Sequence, residues 1–554
     1  MKDYTQKTIP NILNQSFVSF GNYPSLSFVN ETPYTYSELK KEISKVIVLL
    51  EKNGIVPGDK VAILSGNMPN WGIAFFAITS MGVTAVPILP DFHENEIKNI
   101  LEHSEAKAIF ISEQLFYKIE SFNIKTISST ILLNNFGMIP KDTKSDQLKE
   151  IKTATDEIIT KPKEYSVNEE DIASILYTSG TTGSSKGVML THKNIIFDAQ
   201  KVYSIQYVDN KDVFLSILPL SHTYENTLGL ILPIMQGASV YYLDKPPTSS
   251  ILLPALTKVK PTFLLSVPMV IEKIFKMQIL PKFNSNVVIS SLYKLTLIRK
   301  ILHRIAGKKL YKTFGGRLQF FGIGGAKLDA RVERFLMEAK FPYAIGYGLT
   351  ETSPLLAGAS PKKAKHQSTG WVMEGVQIKI DNPDPVTGEG EILAKGDNVM
   401  KGYYKEPSLT KAVFTEDGWF KTGDLGVFDK DKYLYIKGRL KNMIVGPSGE
   451  NIYPEEIESV INNFKYVLES VVIEKKGKLT ALVYFNIEEI EKQYQHLKQE
   501  TIHYVQEKSN ELLVELQLHV NTRVNKFSQI RVMVNQTSPF EKTPTQKIKR
   551  YLYN

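Results

Sequence analysis

Between Ile175 and Leu190 the chain reads Ile-Leu-Tyr-Thr-Ser-Gly-Thr-Thr-Gly-Ser-Ser-Lys-Gly-Val-Met-Leu. An apolar strand runs into a loop of glycines and hydroxyl residues, then a lysine, then a second strand. Glycines let backbone N–H groups approach and surround an anion, hydroxyls add donors, and Lys186 supplies the counter-charge. The phosphates of a nucleotide are the natural guest. This is not a Walker A loop, which needs Gly-Lys-Ser/Thr opening a helix; Lys186 is followed by Gly187 and a strand. A flexible Gly/Ser turn between strands has the same composition, and only the order of Tyr, Thr, Ser, Gly and Lys separates the two.

A chain of 554 residues exceeds one ordinary hydrophobic core, so one large multi-part domain plus a smaller one is expected. The absence of cysteine excludes disulfides, thiolate metal sites, iron–sulfur clusters and cysteine nucleophiles, and fits a reducing cytoplasm. Lys and Arg number 67 against 58 Asp and Glu. Spread over this length, with scattered lysines, the excess reads as a solvated surface; nucleic-acid binding has only net charge in its favour. Met1-Lys2-Asp3-Tyr4-Thr5 carries no secretory signal pattern. The most membrane-like stretch, residues 71–89, is interrupted by Gly72, Gly82 and Pro87 and reads as a core helix followed by a strand.

The N-terminal region alternates helix and strand signals. Thr35 and Glu38 form a capping-box pattern; Leu39, Ile43, Val46, Ile47 and Leu50 fall on one helical face, and Gly54 is a natural stop. A buried strand at 61–64, a helix from about Trp71, a strand at 83–86, a helix at 94–103 and a strand at 108–111 follow. Such alternation predicts parallel sheets covered by helices. Residues 141–171 are polar and charged, a surface connection. Strand signals dominate 370–435, with turns at Asp384-Pro385, Thr387-Gly388 and Asp417-Gly418, predicting a β-rich subdomain that closes the large domain. Beyond Arg439 the expectation is a helix at 454–462, a hairpin of 471–473 with 479–484 turning at Lys476-Gly477, and a mostly helical, solvated stretch over 487–511.

Together with further segments in the same order, the loop resembles that of the adenylate-forming (AMP-binding) superfamily, which includes acyl-CoA synthetases, luciferases and peptide-synthetase adenylation domains. Gly324-Gly325-Ala326-Lys327-Leu328 resembles the segment lying along the adenine. Gly346-Tyr347-Gly348-Leu349-Thr350-Glu351-Thr352 resembles the segment that combines adenine stacking with phosphate and metal contacts. Thr422-Gly423-Asp424 is similar to the ribose-binding motif, Gly438-Arg439-Leu440-Lys441 to the hinge, and Lys542-Thr543-Pro544-Thr545-Gln546-Lys547-Ile548 to the segment carrying the adenylation lysine. The resemblance covers nearly the whole chain. It implies an α/β fold with a large N-terminal domain of helix-covered sheets plus a β-rich subdomain (1–438), a hinge (439–442) and a small, mobile α+β C-terminal domain (443–554).

The resemblance also implies roles. Thr178, Ser179, Gly180, Thr181, Thr182, Gly183 and Lys186 would surround the ATP phosphates, with Gly324, Gly325, Ala326, Gly346, Tyr347 and Gly348 about the adenine. Tyr347 offers a ring face; alone it reads as a core tyrosine. Glu351 would hold Mg²⁺, with Thr350 on phosphate and Thr178 a second metal-side ligand, since magnesium prefers oxygen ligands shared between a carboxylate and the nucleotide. Asp424 would accept both ribose hydroxyls, a task suited to two strong acceptor oxygens; in isolation it is a turn-capping Asp. Arg439 would assist at ribose or phosphate; its bland alternative is a surface ion pair. Lys547 would reach carboxylate and α-phosphate during adenylation, where otherwise a mobile basic tail would be read. Lys441 matches the position about which the small domain rotates, withdrawing Lys547 and bringing up a face that guides the thiol. Three departures stand out: Gln546 where most members carry glycine, Asn442 where an acidic residue is common, and a slightly lengthened loop through Ser448-Gly449.

His222, in Leu218-Pro219-Leu220-Ser221-His222-Thr223-Tyr224-Glu225, matches a family motif beside the carboxylate pocket, where it would contact the acid or gate the tunnel. A purely structural histidine is an equal reading. Proton abstraction is unnecessary, because a carboxylic acid is ionised at neutral pH. Glu225 is closer to fatty acyl-CoA synthetases than to amino-acid activators, whose acidic receptor for an ammonium is not identifiable. Segments 224–235 and 320–324 are candidate walls of an apolar tunnel. Leu292, Leu295, Ile298, Ile301, Leu302 and Ile305 alternate with Lys294, Arg299, Lys300, Arg304 and Lys308; the favoured reading packs this apolar face on the large domain, and a peripheral contact with anionic membrane is the minority reading. The function expected is fatty acid activation with ATP, Mg²⁺ and CoA in the cytoplasm, or peripherally on the inner face of the membrane. Transfer to an acyl carrier protein is the runner-up, and a non-catalytic nucleotide-binding scaffold the alternative from another class. The end of the chain at Asn554 speaks against a peptide-synthetase module.

Overall fold

The computed structural model describes residues 6–155, 158, 160–178, 185–283, 287–445, 451–475, 477–494, 501–543 and 547–553. Its contacts divide the chain into two compact units: one of residues 1–378, 394–420 and 430–434, the other of residues 379–393, 421–429 and 435–554.

The first unit holds two eight-stranded sheets. In one, the order is Gly402–Tyr403, Lys186–Thr191, Ile172–Thr178, Thr84–Ile88, Lys60–Leu64, Ala108–Ile111, Ser129–Leu132 and Gly137–Met138. Its centre is parallel, Lys60–Leu64 lying between Thr84–Ile88 and Ala108–Ile111, as the strand–helix alternation predicts. Both ends finish antiparallel, and at one of them the strands bounding the Gly-rich loop pair with each other. The other sheet runs Leu26–Phe28, Ser239–Tyr242, Val213–Ser216, Phe263–Ser266, Phe320–Ile323, Tyr343–Gly348, Leu355–Gly358 and Trp371–Val372. Helices supply the cover. The helix Tyr36–Lys52 buries Leu39, Ile43, Val46, Ile47 and Leu50, the face read from the sequence, and Pro69–Ser80 is buried almost all round. The latter is a core helix, and no described helix is long and apolar enough to cross a membrane.

The second unit takes in most of a four-stranded sheet (Gln377–Asp381, Gly390–Lys395, Phe420–Phe428, Leu434–Arg439) and a three-stranded one. In the latter, Val467–Lys475 and Lys478–Phe485 form the expected hairpin, with Lys476 outside the described residues, and Val532–Gln536 adds in parallel. The helix expected at 454–462 spans Pro454–Ile461. The stretch expected to be mostly helical and solvated over 487–511 is so among the described residues, apart from buried Ile490 and Ser509. It forms Ile487–Tyr494 and Thr501–Asn521, with residues 495–500 outside the description. Ile490, Leu512, Leu516 and Val520 are buried in the core of this unit. Leu512, Leu516 and Val520, just beyond that stretch and four residues apart, form an apolar stripe on one helical face.

A second correction concerns the basic helical stretch near residue 300. It comprises Val287–Tyr293 and Thr296–Thr313. Leu302 packs on the core, but Leu292, Leu295, Ile301 and Ile305 are exposed. The helix is held by other groups. Arg299 donates through Nε and Nη2 to Glu338 at 3.1 and 2.8 Å, His303 and the Tyr293 hydroxyl share a 2.8 Å hydrogen bond, and Leu310 is buried. A Cβ at Gly307 would stand 2.5 Å from that of Ala339, so glycine permits the close approach of Ala330–Ala339.

The capping box at Thr35 is present: its hydroxyl accepts from Glu38 N at 3.2 Å, and Glu38 Oε2 accepts from Thr35 N at 2.8 Å. Thr35→Ala is expected to lower the melting midpoint by about 2 °C in scanning calorimetry without altering the helical signal at lower temperature.

Candidate active site

The Gly-rich loop springs from the antiparallel pair Ile172–Thr178 and Lys186–Thr191, in which Thr178 stands opposite Lys186. Ser179, Gly180, Thr181, Thr182 and Gly183 lie outside the described residues, so what is observed is the base of the loop. Gly402–Tyr403 continues the sheet on the far side of Lys186–Thr191, Gly402 opposite Met189 and Tyr403 opposite Val188. That register brings the Tyr403 ring beneath the Lys186 ammonium, 5.5 Å from its centroid, within cation–π range. The Tyr403 hydroxyl donates to Glu351 Oε1 at 2.9 Å, and Met400 N donates to the Glu351 carbonyl at 2.8 Å. Lys186 and Glu351 are far apart in sequence, and Tyr403 joins them. Nothing in the spacing of the sequence marked Tyr403; its importance comes only from strand pairing.

Glu351 sits in the tight turn Thr350–Thr352 between the strands Tyr343–Gly348 and Leu355–Gly358. A Cβ on Gly348 would lie 1.8 Å from the Pro354 carbonyl oxygen, so the turn closes only over glycine. The Thr352 hydroxyl donates to Pro354 O at 2.6 Å while accepting from Leu349 N at 3.0 Å. Asn398 donates to the carbonyls of Thr352 and Leu355 at 3.1 and 2.8 Å, and Leu355 N donates to Asp198 at 3.0 Å. Asp198 is fully buried, and burial pushes its carboxyl well above the usual carboxylate range. Asp198 and Asn398 brace the turn from beneath. Neither stands in a recognisable motif.

Gly324, Gly325 and Ala326 leave the end of Phe320–Ile323, whose parallel neighbour Tyr343–Gly348 carries Gly346, Tyr347 and Gly348. Both segments therefore emerge side by side at the C-terminal ends of adjacent parallel strands, where ligands gather in α/β sheets. Tyr347 is buried. Gly325 has φ +83°, open only to a residue without a side chain's constraints.

His222 caps the short helix Thr223–Glu225, its Nδ1 accepting from Tyr224 N at 3.2 Å. An Nδ1 acceptor places the ring proton on Nε2. Tyr224 lies along the glycines: its ring carbons come to 3.2 Å of a Cβ built at Gly324 and its hydroxyl to 2.9 Å of one at Gly322. Segments 224–235 and 320–324, read as tunnel walls, thus meet at Tyr224. Glu225 turns the other way, fully buried against Gly229 in the wide helical turn Asn226–Ile231. Burial pushes its carboxyl up to about 8, opposed by a hydrogen bond with Ser216. At neutral pH it is a neutral acid.

The remaining predicted residues belong to the second unit. Asp424 is buried and forms an ion pair with Arg439 Nε at 2.8 Å. Its N–H donates to the Thr422 hydroxyl at 3.1 Å, and that hydroxyl donates to Ile392 O at 2.7 Å. The two residues expected at the ribose are thus neighbours on adjacent strands. Lys441 is exposed in the turn Leu440–Asn442, beside Asn442, whose amide donates to Glu455 at 2.7 Å. The lengthened loop at Ser448-Gly449 and the Gln546 departure fall outside the described residues. Lys547 is exposed, at the foot of a closed hairpin: Thr543 N donates to Lys547 O at 2.7 Å, Lys547 N to the Thr543 hydroxyl at 3.2 Å, and Lys549 N to Glu541 O at 2.8 Å. Arg550, three residues on, ion-pairs with buried Glu458, and Lys542 pairs with Glu469. The segment is anchored, unlike a loose basic tail.

Residues 14–404 match the family model described as AMP-binding enzyme. The chain belongs to that family of adenylate-forming enzymes. Similar curated proteins include the Long-chain-fatty-acid--CoA ligase heimdall of Drosophila melanogaster (27% identical, covering 82% of this chain and 72% of the relative). The Long-chain-fatty-acid--[acyl-carrier-protein] ligase AEE15, chloroplastic, of Arabidopsis thaliana is 27% identical over 90% of this chain and 78% of the relative. The 4-coumarate--CoA ligase 2 of Nicotiana tabacum is 28% identical over 84% and 81%. Among solved structures, the anthranilate CoA ligase AuaEII with anthranoyl-AMP has a TM-score of 0.76 at 20% identity, covering 99% of this chain and 96% of that one. The o-succinylbenzoate CoA synthetase MenE from Bacillus subtilis with ATP and magnesium has a TM-score of 0.74 at 24% identity, covering 98% of each. These neighbours show the α/β adenylate-forming fold over nearly the whole chain.

Two predictions follow from the geometry. Tyr403→Phe keeps the ring under Lys186 and removes the donor to Glu351; steady-state kinetics is expected to show roughly a tenfold loss in kcat/KM for ATP, the worth of one hydrogen bond to a charged group. Glu225 binds a proton in the folded protein and loses it in the unfolded chain between the ordinary glutamic acid value of 4.5 and about 8. Its contribution is therefore full below the lower value and declines as pH rises to the upper one. Melting curves of Glu225→Gln against the parent should show an advantage for the variant that grows from pH 5 to pH 8.

Proposed function

We propose that this chain joins a fatty acid to the thiol of CoA in two steps at the expense of ATP. In the first, a carboxylate oxygen attacks the α-phosphorus and pyrophosphate leaves, giving the acyl-adenylate. In the second, the thiolate sulfur attacks the acyl carbonyl carbon and AMP departs. The observation that carries the reading is the Lys186–Tyr403–Glu351 cluster at the base of a Gly-rich loop in a member of the AMP-binding enzyme family.

In this reading the loop residues Thr178 to Gly183 and Lys186 hold the phosphates. Gly324, Gly325, Ala326, Gly346, Tyr347 and Gly348 form the adenine side, Thr350 contacts phosphate, and Asp424 with Arg439 takes the ribose. Mg²⁺ fits Glu351, whose Oε1 is steadied by Tyr403 while Oε2 takes no protein partner among the described residues, with the Thr178 hydroxyl as a second ligand. Bound there it would neutralise phosphate charge as pyrophosphate leaves. Lys547 orients the carboxylate and α-phosphate during adenylation. The second step needs Lys547 out of the way, and rotation of a C-terminal domain (443–554) about Lys441 in the hinge 439–442 supplies that exchange. His222 presents Nε2–H to the bound carboxylate.

Support for an apolar acid comes from the walls. Tyr224 lies along Gly322 and Gly324, and the nearest carboxyl in sequence, Glu225, is neutral and turned away, unlike a receptor for an ammonium. An acyl chain gains roughly 0.8 kcal/mol per buried methylene, so the depth of the tunnel selects length. Transfer to the pantetheine of an acyl carrier protein is a second reading, favoured by the Arabidopsis relative.

Acid-dependent exchange of pyrophosphate into ATP, measured across a fatty acid series and 4-coumarate, tests the first step. Exchange is expected with medium and long chains and to fall at least ~100-fold in Lys547→Ala, as when a group stabilising transition-state charge is removed. Exchange confined to 4-coumarate would overturn the fatty acid. Thioester formed with carrier protein but not CoA would select the second reading.

A further inference from the structure

Fifteen Lys and Arg side chains but a single carboxylate, Glu272, lie between Lys245 and Leu328. The entire chain has a net charge of +9, so this stretch exceeds the whole and the rest is net acidic. Within it, Thr296–Thr313 turns outward Leu297 (77% exposed), Ile301 (57%) and Ile305 (62%). Residues four apart on a helix form one stripe. Lys300, Arg304 and Lys308 are exposed on that side, between and beside the apolar residues. The preceding helix adds exposed Val288 and Leu292.

Single exposed leucines are ordinary on a protein surface; a continuous row is not. The inner face of the helix is already engaged, through Arg299 with Glu338, His303 with Tyr293, and Gly307 against Ala339, so the outward row has no remaining duty in the core. Long basic side chains set among the aliphatic ones can carry their charges past them to an anionic plane. A rigidly mounted helix with an aliphatic outer face and interleaved cations has the make-up of one that lies among lipid headgroups. A protein partner fits less well: interface cores are poor in lysine and are anchored by aromatic residues, which this face lacks.

We propose that the outward face of Thr296–Thr313 docks the protein onto an anionic phospholipid surface. The aliphatic stripe enters the headgroup layer and Lys300, Arg304 and Lys308 meet lipid phosphates. The docking stands independently of which acid the site activates.

The full-length protein is sedimented with vesicles of phosphatidylcholine alone or mixed with phosphatidylglycerol, at low and high salt. Two triple variants are run beside it, Leu297→Ser/Ile301→Ser/Ile305→Ser and Lys300→Glu/Arg304→Glu/Lys308→Glu. Unchanged melting midpoints establish that both remain folded. The parent is expected to pellet with phosphatidylglycerol vesicles at low salt, and each variant to lose roughly tenfold or more in partitioning. High salt should weaken binding of the parent. A parent that stays in the supernatant, or a serine variant that pellets as fully as the parent, overturns the proposal. Binding of an acidic carrier protein to this face, with no vesicle binding, overturns it in favour of a protein partner.

Discussion

The pairing of Thr178 with Lys186 fixes both flanks of the Gly-rich segment on one sheet, and the Lys186–Tyr403–Glu351 cluster depends on that anchorage. The neighbouring strand then places Tyr403 so that one residue serves two opposite charges. Its ring face receives the Lys186 ammonium, and its hydroxyl holds the Glu351 carboxylate. No ion pair joins Lys186 to Glu351 directly among the described residues. A direct pair would spend each charge on the other. The phenol stands between them, so neither charge is neutralised by the other.

Burial governs the second layer of the site. Asp198 and Glu225 are carboxyls removed from water, and burial pushes both above the usual carboxylate range. Asp198 shores up the turn that carries Glu351. Glu225 fills the wide helical turn after His222, against Gly229. Both serve the backbone geometry around them.

Much of the fold was legible because local pattern and tertiary demand agree. The stripe Leu39, Ile43, Val46, Ile47 and Leu50 is buried as its periodicity predicts, and the hairpin around Gly477 is where alternation and glycine put it. Pattern failed at Ile490, a buried residue in a stretch read as solvated from its charge. It failed in the opposite sense at Ile301 and Ile305, where an apolar row suggested core but Gly307 and Arg299 do the packing. In the candidate site, Lys186, Glu351, Asp424 and Lys547 were visible as motif residues. Tyr403, Asp198 and Asn398 were not, since their roles arise from strand register and from what lies under a turn, neither of which spacing along the chain encodes.

The hairpin holding Lys547 has a thermodynamic consequence. With Arg550 seated on Glu458 and Lys542 on Glu469, the described backbone at 541–543 and 547–550 is tied into the fold. A lysine on a loose tail would forfeit backbone freedom at each engagement, about 1–2 kcal/mol per residue immobilised. For residues 541–543 and 547–550 that entropy is surrendered in folding, whatever Lys547 later meets.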